Sequence, residues 1–263
     1  MLLEVSDLEI SYAKSTTPTV QGVNFELNEG EILTIVGESG SGKTTVIRAI
    51  LNVLPGGGSV TKGKMIFENK NLRELDNEGW RKIRGKDISM IFQDSGNMMN
   101  PVHTIGKQFV EYIQVHSDLD KKAAYDMAIE KLVLMNLPNP ENIMNSYTFE
   151  LSGGMRQRVG IAMAITFQPK LLLADEPTSA LDVTTQAQIV GELMFITRGT
   201  GAAMIMVTHN LGVASYLSDN LMVMSQGKVV EYGKTADVLN NPQAEYTKSL
   251  LAAVPEIGGR RYV

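Results

Sequence analysis

Cysteine is absent from the 263 residues of this chain. Its absence excludes disulfide bonds, thiolate metal sites and cysteine-ligated iron–sulfur clusters. Histidine is nearly as scarce, with three copies. Two of them, His103 and His116, have no further ligand at metal-binding spacing, so we assign them no role.

Long hydrophobic runs are missing as well. No stretch reaches the roughly 18 consecutive apolar residues that indicate a membrane-spanning helix, and residues 1–7 lack the basic and apolar regions of a signal peptide. We therefore expect a cytoplasmic protein. The net charge of −5 disfavours broad contact with nucleic acid, although a local basic patch would escape that argument.

What remains is an ordinary globular composition, 43% hydrophobic and 20% charged. The length suits one large α/β domain or a main domain with a smaller lobe. The 15 methionines are explained by soft packing in cores and on adaptable contact surfaces.

One stretch, Leu33–Ala49, combines an apolar strand, a glycine-rich turn and the start of a helix. Within it, Gly37–Thr44 matches the phosphate-binding pattern GxxxxGK followed by Ser or Thr, which is called the P-loop. Its three glycines let successive backbone N–H groups converge on an anion, which the helix N-terminus also favours. In this pattern Lys43 reaches the β- and γ-phosphates and the Thr44 hydroxyl ligates Mg²⁺. A glycine turn without function is the alternative, and the flanking strand and helix argue against it.

Two segments of alternating hydrophobicity, residues 2–10 and Val20–Leu27, precede this turn and predict antiparallel strands. Tyr12 follows the first of them. An aromatic ring at that position suits stacking on a purine, and the alternative is a strand-end tyrosine that packs on its own sheet.

Short elements follow the P-loop helix, which we expect to end near Leu54, before Pro55. Strands are predicted over Val60–Phe67 and Asp87–Phe92, and a short basic helical turn over Trp80–Arg84. The second strand brings Gln93 to its carboxyl end, where a polar side chain is placed to face a ligand. Taken alone, Gln93 would be an ordinary loop residue.

Helical periodicity replaces the strand pattern from Ile105 to Leu137 and predicts one or two helices. We expect residues 94–168 to be mostly helical, with a break at Pro138–Pro140, and to be inserted between two parts of a sheet-containing domain. The loop Asn97–Pro101 at its start carries two methionines. They suit an adaptable partner surface and a buried anchor equally well.

A second glycine-rich segment, Leu151–Arg158, leads into a helix predicted over Val159–Phe167. Ser152 is suited to cap a helix, and Gly153 and Gly154 expose amides to an anion. This pattern indicates a second phosphate site, and it has no lysine of its own.

Two more apolar strands end in polar side chains. Leu171–Asp175 has the character of a buried parallel strand and is followed by Glu176. In a chain with a P-loop, these carboxylates indicate a magnesium partner in Asp175 and a water-activating base in Glu176, although alone they would be an ordinary strand terminus. The strand Ala202–Val207 brings His209 to its end, where it suits a γ-phosphate, the attacking water or a capping role.

The order of these motifs resembles the nucleotide-binding subunit of ATP-binding cassette (ABC) transporters over nearly the whole chain. The resemblance implies that Tyr12 is the adenine-stacking A-loop, that Gly37–Thr44 is the Walker A motif and that Gln93 is the Q-loop. It makes Leu151–Gln157 the signature motif.

In the second half of the chain, the resemblance makes Leu171–Asp175 the Walker B motif, Glu176 the catalytic base, Ser179–Asp182 the D-loop and His209 the switch histidine. It implies ATP and Mg²⁺ as ligands. The implied nucleotide contacts are Tyr12, Gly37, Ser39, Gly40, Ser41, Gly42, Lys43, Thr44, Thr45, Gln93, Ser152, Gly153, Gly154, Asp175, Glu176 and His209. The implied catalytic residues are Glu176, His209, Gln93 and Lys43, and the implied metal ligands are Thr44, Gln93 and Asp175.

The expected fold is α/β: a P-loop NTPase core with a parallel sheet, an N-terminal antiparallel β subdomain and a helical signature-motif subdomain. Residues 1–93 and 169–240 would form the core with its β subdomain. Residues 94–168 would form the inserted helical subdomain, and residues 241–263 a C-terminal helical tail. Further elements are predicted as a helix over Val183–Thr197, a hairpin of Leu221–Val223 and Lys228–Tyr232, and helical structure over Thr235–Leu251.

Within the family, three segments resemble importers of oligopeptides, dipeptides and nickel or related metal chelates. They are Gln93–Pro101, Ser152–Arg158 and Asn241–Leu251. Two departures weaken a purely peptide assignment. Asp94 is followed by Ser-Gly-Asn-Met-Met rather than the commoner Pro-x-x-Ser-Leu type, and the C-terminal cysteine cluster of longer peptide-importer subunits has no counterpart in a chain without cysteine.

The resemblance also implies partners. Two cassettes, identical or different, would face each other head to tail, with the P-loop of one opposite the signature segment of the other, so that ATP joins them and hydrolysis releases them. Two membrane-spanning permease subunits would dock near Met98–Ile105, and an extracytoplasmic binding protein would join through the complex. The chain would then lie at the cytoplasmic face of the membrane, without nucleic acid. The cargo, peptide or metal chelate, is left open.

Two other functions are weighed against an importer ATPase. A soluble cassette protein acting in translation or DNA repair is disfavoured by a single cassette without a coiled-coil insertion or basic tail. A binding-only cassette paired with an active one is disfavoured by the intact side chains of Lys43, Ser152, Glu176 and His209.

Overall fold

The computed structural model describes residues 1–13, 16–253, 256–257 and 260–261. The chain divides into two compact units, one of Met1–Gly79 with Ala203–Val263 and the other of Trp80–Ala202. The finer division into core, inserted subdomain and tail stays a prediction.

The N-terminal part of the chain is rich in strands, as its alternating pattern predicts. Its elements are β1 (Leu3–Tyr12), β2 (Val20–Leu27), β3 (Ile32–Val36), α1 (Lys43–Ile50), β4 (Gly58–Phe67), β5 (Lys70–Asn71) and α2 (Asn77–Ile83), with a 3-10 turn at Leu72–Glu74.

Helices dominate the middle of the chain, and the predicted helical region is confirmed. Its elements are β6 (Ile88–Ile91), α3 (Ser95–Met98), α4 (Ile105–His116), α5 (Lys121–Leu134), α6 (Pro140–Asn145), α7 (Gly153–Ala164), β7 (Leu171–Asp175) and α8 (Val183–Thr200), with a 3-10 turn at Thr148–Glu150.

The last part alternates strands and short helices. Its elements are β8 (Ala203–Val207), α9 (Leu211–Leu217), β9 (Asn220–Ser225), β10 (Lys228–Lys234), α10 (Thr235–Asn240), α11 (Glu245–Ala252), β11 (Glu256–Ile257) and β12 (Arg260–Arg261). After the helices α10 and α11, the predicted helical tail gives way to the antiparallel pair of β11 and β12. The rest of that predicted tail, residues 254–255, 258–259 and 262–263, lies outside the described residues.

Two sets of strands build the first unit. β2, β1, β4 and β5 lie side by side in that order as an antiparallel sheet, so the predicted antiparallel subdomain is confirmed. β10, β9, β3 and β8 are neighbours in that order, and β3 is parallel to both β8 and β9. Every residue of β3 and β8 is buried, as their almost entirely apolar sequences predict for strands covered on both faces.

The second unit joins a parallel strand pair to a helical layer. β6 and β7 pair in parallel, with Ile88 opposite Leu171. α4 packs on α5, and α5 on α7, through fully buried side chains that include Phe109 and Leu132. This apolar layer fixes the helix that begins at the signature motif. No helix among the described residues is long and apolar enough to cross a membrane.

Helix α1 ends at Ile50 rather than near Leu54. Asn52 adopts a left-handed conformation with φ of +53°, and the Val53 N–H closes on the carbonyl oxygen of Arg48 at 2.9 Å. Such a turn satisfies the last helical carbonyls and stops the helix. Asn52, not the following proline, therefore ends α1.

Helix α7 begins at Gly153, six residues before the predicted start at Val159. The Ser152 hydroxyl accepts a hydrogen bond from the Met155 N–H at 3.3 Å, as the predicted capping role requires. The two glycines therefore form the first turn of the helix rather than a loop before it.

Candidate nucleotide-binding site

The P-loop is a tight turn between β3 and α1, and its backbone conformation favours glycine at three positions. Gly37, Gly40 and Gly42 have φ values of +146°, +81° and +99°, which L side chains rarely adopt. At Gly37 a Cβ atom would also collide with the carbonyl oxygen of Met224. The loop conformation thus depends on these three residues, as the motif predicts.

Lys43 lies inside this loop and is only 5% exposed. Its Nζ atom donates hydrogen bonds to the carbonyl oxygens of Gly37 at 2.8 Å and Glu38 at 2.6 Å. Ser41, also buried, places its Oγ atom 3.5 Å from the same Nζ. A positive charge is therefore fixed at the N-terminus of α1, which is the arrangement that binds phosphate.

The other P-loop residues lie nearer the surface. Ser39 and Gly40 are exposed, whereas Thr44 and Thr45 are partly buried in the first turn of α1. The Gly227 N–H, in the turn between β9 and β10, donates to the Ser41 carbonyl oxygen at 3.1 Å. This hydrogen bond connects the P-loop to a turn outside the motif.

Tyr12 and His209 belong to the same unit as the P-loop. Tyr12, at the end of β1, is directly opposite Gly58 in β4. His209 is exposed and follows β8, whose end is tied to β3 by a hydrogen bond from the Thr208 N–H to the Ile35 carbonyl oxygen at 3.2 Å. The parallel strands β3 and β8 thus lead into the P-loop and His209 at the same edge of the sheet.

Three of the predicted site residues, Gln93, Asp175 and Glu176, lie in the second unit. Asp175 ends β7 and is 2% exposed, and Gln93 follows the neighbouring strand β6 as the sequence predicts. Glu176 has a φ of +44°, a left-handed conformation that costs about 1–3 kcal/mol in a residue with a side chain. Asn52 and Gln168 share this conformation, so it marks the turn after β7 and does not by itself assign a role to Glu176.

The signature segment lies on α7 in the same unit. Ser152 and Gly153 are exposed at the start of the helix, with Gly154 partly buried. Behind them, the Gln157 Nε2 donates to the Phe92 carbonyl oxygen at 3.1 Å. The exposed N-terminus of a 12-residue helix suits an anion, as predicted.

Two contacts at the P-loop and Tyr12 were not foreseen from the sequence. A Cβ atom at Gly58 would lie 2.7 Å from Cε1 of Tyr12, and the Tyr246 hydroxyl accepts a hydrogen bond from the Glu38 N–H. Tyr246 belongs to the segment Asn241–Leu251, whose only signal in the sequence was its family resemblance. Among the described residues, no group of three or more His, Cys, Asp or Glu side chains is placed to hold a metal.

Comparison with protein families and curated proteins gives a consistent result. Residues 20–179 match the family model described as ABC transporter. The oligopeptide transport ATP-binding protein OppD of Bacillus subtilis is 44% identical over 259 residues, which cover 97% of this chain and 72% of the relative. The dipeptide transport ATP-binding protein DppD of the same organism is 43% identical, over 97% of this chain and 77% of the relative.

Solved structures show the same likeness. A dimeric post-hydrolysis state of the ATP-binding cassette MJ0796, bound to ADP and Pi, aligns with a TM-score of 0.79. The two chains are 27% identical, and the alignment covers 89% of this chain and 99% of MJ0796. The expected α/β cassette fold is therefore confirmed.

Proposed function

The chain belongs to the ABC transporter family as an ATP-binding subunit, and on that premise we propose that its ATP hydrolysis powers the import of peptides. The ATPase role is supported most directly by the position of Lys43, which is buried in a glycine-rich turn and donates hydrogen bonds to the carbonyl oxygens of Gly37 and Glu38. The peptide cargo is supported by relatives whose names specify oligopeptide and dipeptide transport. Nickel or another metal chelate is the alternative cargo.

The residues proposed to bind Mg²⁺ have the chemistry that this ion requires. Thr44, Gln93 and Asp175 offer the oxygen ligands that this ion prefers, and Asp175 is a buried carboxylate at a strand end. When bound, Mg²⁺ would neutralise charge on the β- and γ-phosphates. We assign Lys43 to the phosphates and Tyr12 to the adenine ring.

Glu176 and His209 take the chemical roles. The Glu176 carboxylate would orient or deprotonate the attacking water, and His209 would hold the γ-phosphate side. The contacts from the signature segment, Ser152, Gly153 and Gly154, would come from a second cassette. The dimeric cassette MJ0796 supports this arrangement.

An exposed apolar surface on the second unit suits a membrane-spanning partner. Tyr147 and Phe149 stack with ring centroids 5.4 Å apart, and Phe149 is 69% exposed. Met98 and Val102, in the segment before α4, are 61% and 71% exposed. A β-bridge between Thr104 and Tyr147 connects this segment to the two stacked rings. We propose that a permease subunit covers this surface, with the chain peripheral to the cytoplasmic side of the membrane.

The test is to purify the chain from its own cell membranes and identify its partners by mass spectrometry. Two permease subunits and a second cassette, identical or different, are expected. ATP hydrolysis by that complex in vesicles, with the extracytoplasmic binding protein, should rise with di- or oligopeptides. A rise with nickel alone would replace the peptide assignment, and recovery with ribosomes or DNA-repair proteins would overturn the transport role.

A matched pair of variants tests the docking surface. Phe149→Ser should lose the permease subunits during purification and keep ATP binding. Phe195→Ser is the control, because Phe195 is similarly exposed at 72% but lies on α8. Loss of the permeases in both variants or in neither would contradict the assigned surface.

A further inference from the structure

The C-terminal helix α11 reaches the P-loop through one side chain. The Tyr246 hydroxyl accepts a hydrogen bond from the Glu38 N–H at 3.0 Å. The Tyr246 ring is partly buried against a cluster of apolar residues that includes Val36, just before the P-loop, and Leu251 of α11. Tyr246 therefore contacts the P-loop through its hydroxyl, while its ring packs on the apolar cluster to which Val36 belongs.

The bonded N–H belongs to the same peptide unit as the carbonyl group that holds the lysine. The Gly37 carbonyl oxygen accepts a hydrogen bond from Lys43 Nζ at 2.8 Å, and the next N–H along the chain is that of Glu38. Because a peptide unit is planar and rigid, fixing its N–H also fixes the direction of its C=O. Tyr246 and Lys43 thus hold the Gly37–Glu38 peptide from opposite sides.

This restraint matters because Gly37 gives the loop its freedom. A glycine at φ of +146° has few steric limits on rotation, so the peptide that follows it needs an external partner to stay in one orientation. Glu38 itself is exposed. If the Tyr246 hydroxyl were removed, water would bind the Glu38 N–H and would not hold the peptide in one orientation.

Helix α11 is itself anchored at its start. The carboxylate of Glu231, in β10, accepts hydrogen bonds from the N–H groups of Gln243 at 2.7 Å and Ala244 at 3.1 Å. A negative charge at the N-terminus of a helix also interacts favourably with its dipole. At the other end, Leu251 is 1% exposed. The Tyr246 hydroxyl is therefore presented to the P-loop from a fixed support.

We propose that Tyr246 is a positioning residue for Lys43, acting through the Gly37–Glu38 peptide, and that α11 thereby sets the affinity of the site for nucleoside triphosphates. This proposal rests on the ATP-binding role proposed above. It assigns a role to the segment Asn241–Leu251, which the nucleotide contacts leave unexplained. Tyr246 acts on the phosphate end of the nucleotide and not on the adenine.

The test is Tyr246→Phe, which removes the hydroxyl and keeps the ring. The Kd and KM for ATP should rise about three- to tenfold, the equivalent of one ordinary hydrogen bond. The Kd for AMP, which lacks the β- and γ-phosphates, should stay within about twofold, as should kcat at saturating ATP. The control is Tyr232→Phe, whose hydroxyl donates to the Glu26 carbonyl oxygen at 3.3 Å and should leave every constant unchanged.

The outcomes separate the two proposals. Unchanged ATP affinity in Tyr246→Phe, or an equal loss for AMP and ATP, would overturn the positioning role while the ATPase assignment stands. Failure of the wild-type chain to bind ATP would overturn the ATPase assignment itself. If Tyr246→Phe does not fold, Glu231→Gln carries the test, because weakening the support of α11 should raise the Kd for ATP and not that for AMP.

Discussion

The side-chain amide of Gln93 donates a hydrogen bond to the Ser179 hydroxyl with a nitrogen to oxygen distance of 3.2 Å. The same hydroxyl donates to the carbonyl oxygen of Glu176, also at 3.2 Å. The residue after β6 is thereby joined to the main chain of the proposed base after β7. Because Glu176 is in a left-handed conformation, these bonds help to hold a strained backbone.

Ser179→Ala breaks this chain of hydrogen bonds and should slow ATP hydrolysis without weakening ATP binding. We expect kcat to fall about two- to tenfold, as loss of one hydrogen bond implies, with the Kd for ATP within about twofold. Steady-state kinetics and calorimetry measure the two constants. Ser117→Ala is the control, because its hydroxyl also donates to a main-chain carbonyl, that of Ile113. A weaker Kd with unchanged kcat would contradict this role.

Gly58→Ala should weaken binding of adenine nucleotides. The new methyl group would lie 2.7 Å from Cε1 of Tyr12, so the ring would have to leave its position and lose part of a stacking interaction of about 1–3 kcal/mol. The Kd for ATP should rise about fivefold or more, while inorganic triphosphate binds as before. Gly191→Ala is the control, since a methyl group there meets nothing within 4 Å. Equal ATP affinity in all three proteins would remove Tyr12 from the adenine site.

Gln157→Ala should destabilise the second unit. Gln157 is 4% exposed and its side chain bonds the Phe92 carbonyl oxygen and the Ser95 N–H. Truncation leaves both groups without this partner and should cost about 1–3 kcal/mol in the free energy of unfolding. Urea denaturation measures the change, with the exposed Gln114→Ala as control. A change equal to that of the control would show that these bonds contribute nothing.

Loss of stability at acid pH should depend on Glu231. Burial alone would raise the pKa of Glu231, but the hydrogen bonds from the N–H groups of Gln243 and Ala244 and the positive charge of Lys248 hold it below its ordinary value of 4.5. A lowered pKa in the folded state stabilises the fold above the unfolded pKa, and this contribution is lost as pH falls through the folded pKa.

The melting temperature of the wild-type chain should therefore approach that of Glu231→Gln as the pH falls from neutral to about 3. Differential scanning calorimetry of both proteins across this range measures the difference. A gap between the two melting temperatures that is constant with pH would contradict the assigned cause.

Much of this architecture could be predicted from the sequence because its signals are local. β3 and β7 are short apolar runs bounded by turn residues, and Gly37–Thr44 needs a strand before it and a helix after it. Their covalent order alone places Gln93 and Glu176 at strand ends. The structure confirms these placements.

Other features depend on contacts between residues distant in sequence. Tyr246 is 208 positions from Glu38, and no local pattern of α11 reveals its bond to the P-loop. The contact of Gly58 with Tyr12 depends on the register of β1 and β4. The end of α1 was misplaced because Asn52 takes a left-handed conformation that its sequence permits but does not require.

We propose that this chain closes on ATP as a dimer and hydrolyses it with Glu176. The measurement is light scattering with size-exclusion chromatography of Glu176→Gln in ATP and Mg²⁺, followed by an assay of phosphate release. Because the glutamine keeps the shape of the side chain and cannot act as a base, we expect a stable ATP-bound dimer with hydrolysis reduced about a hundredfold or more. Lys43→Ala is the control and should stay monomeric. A monomeric Glu176→Gln protein that releases phosphate at the wild-type rate would contradict both the ATP-driven dimer and the role of Glu176 as the base.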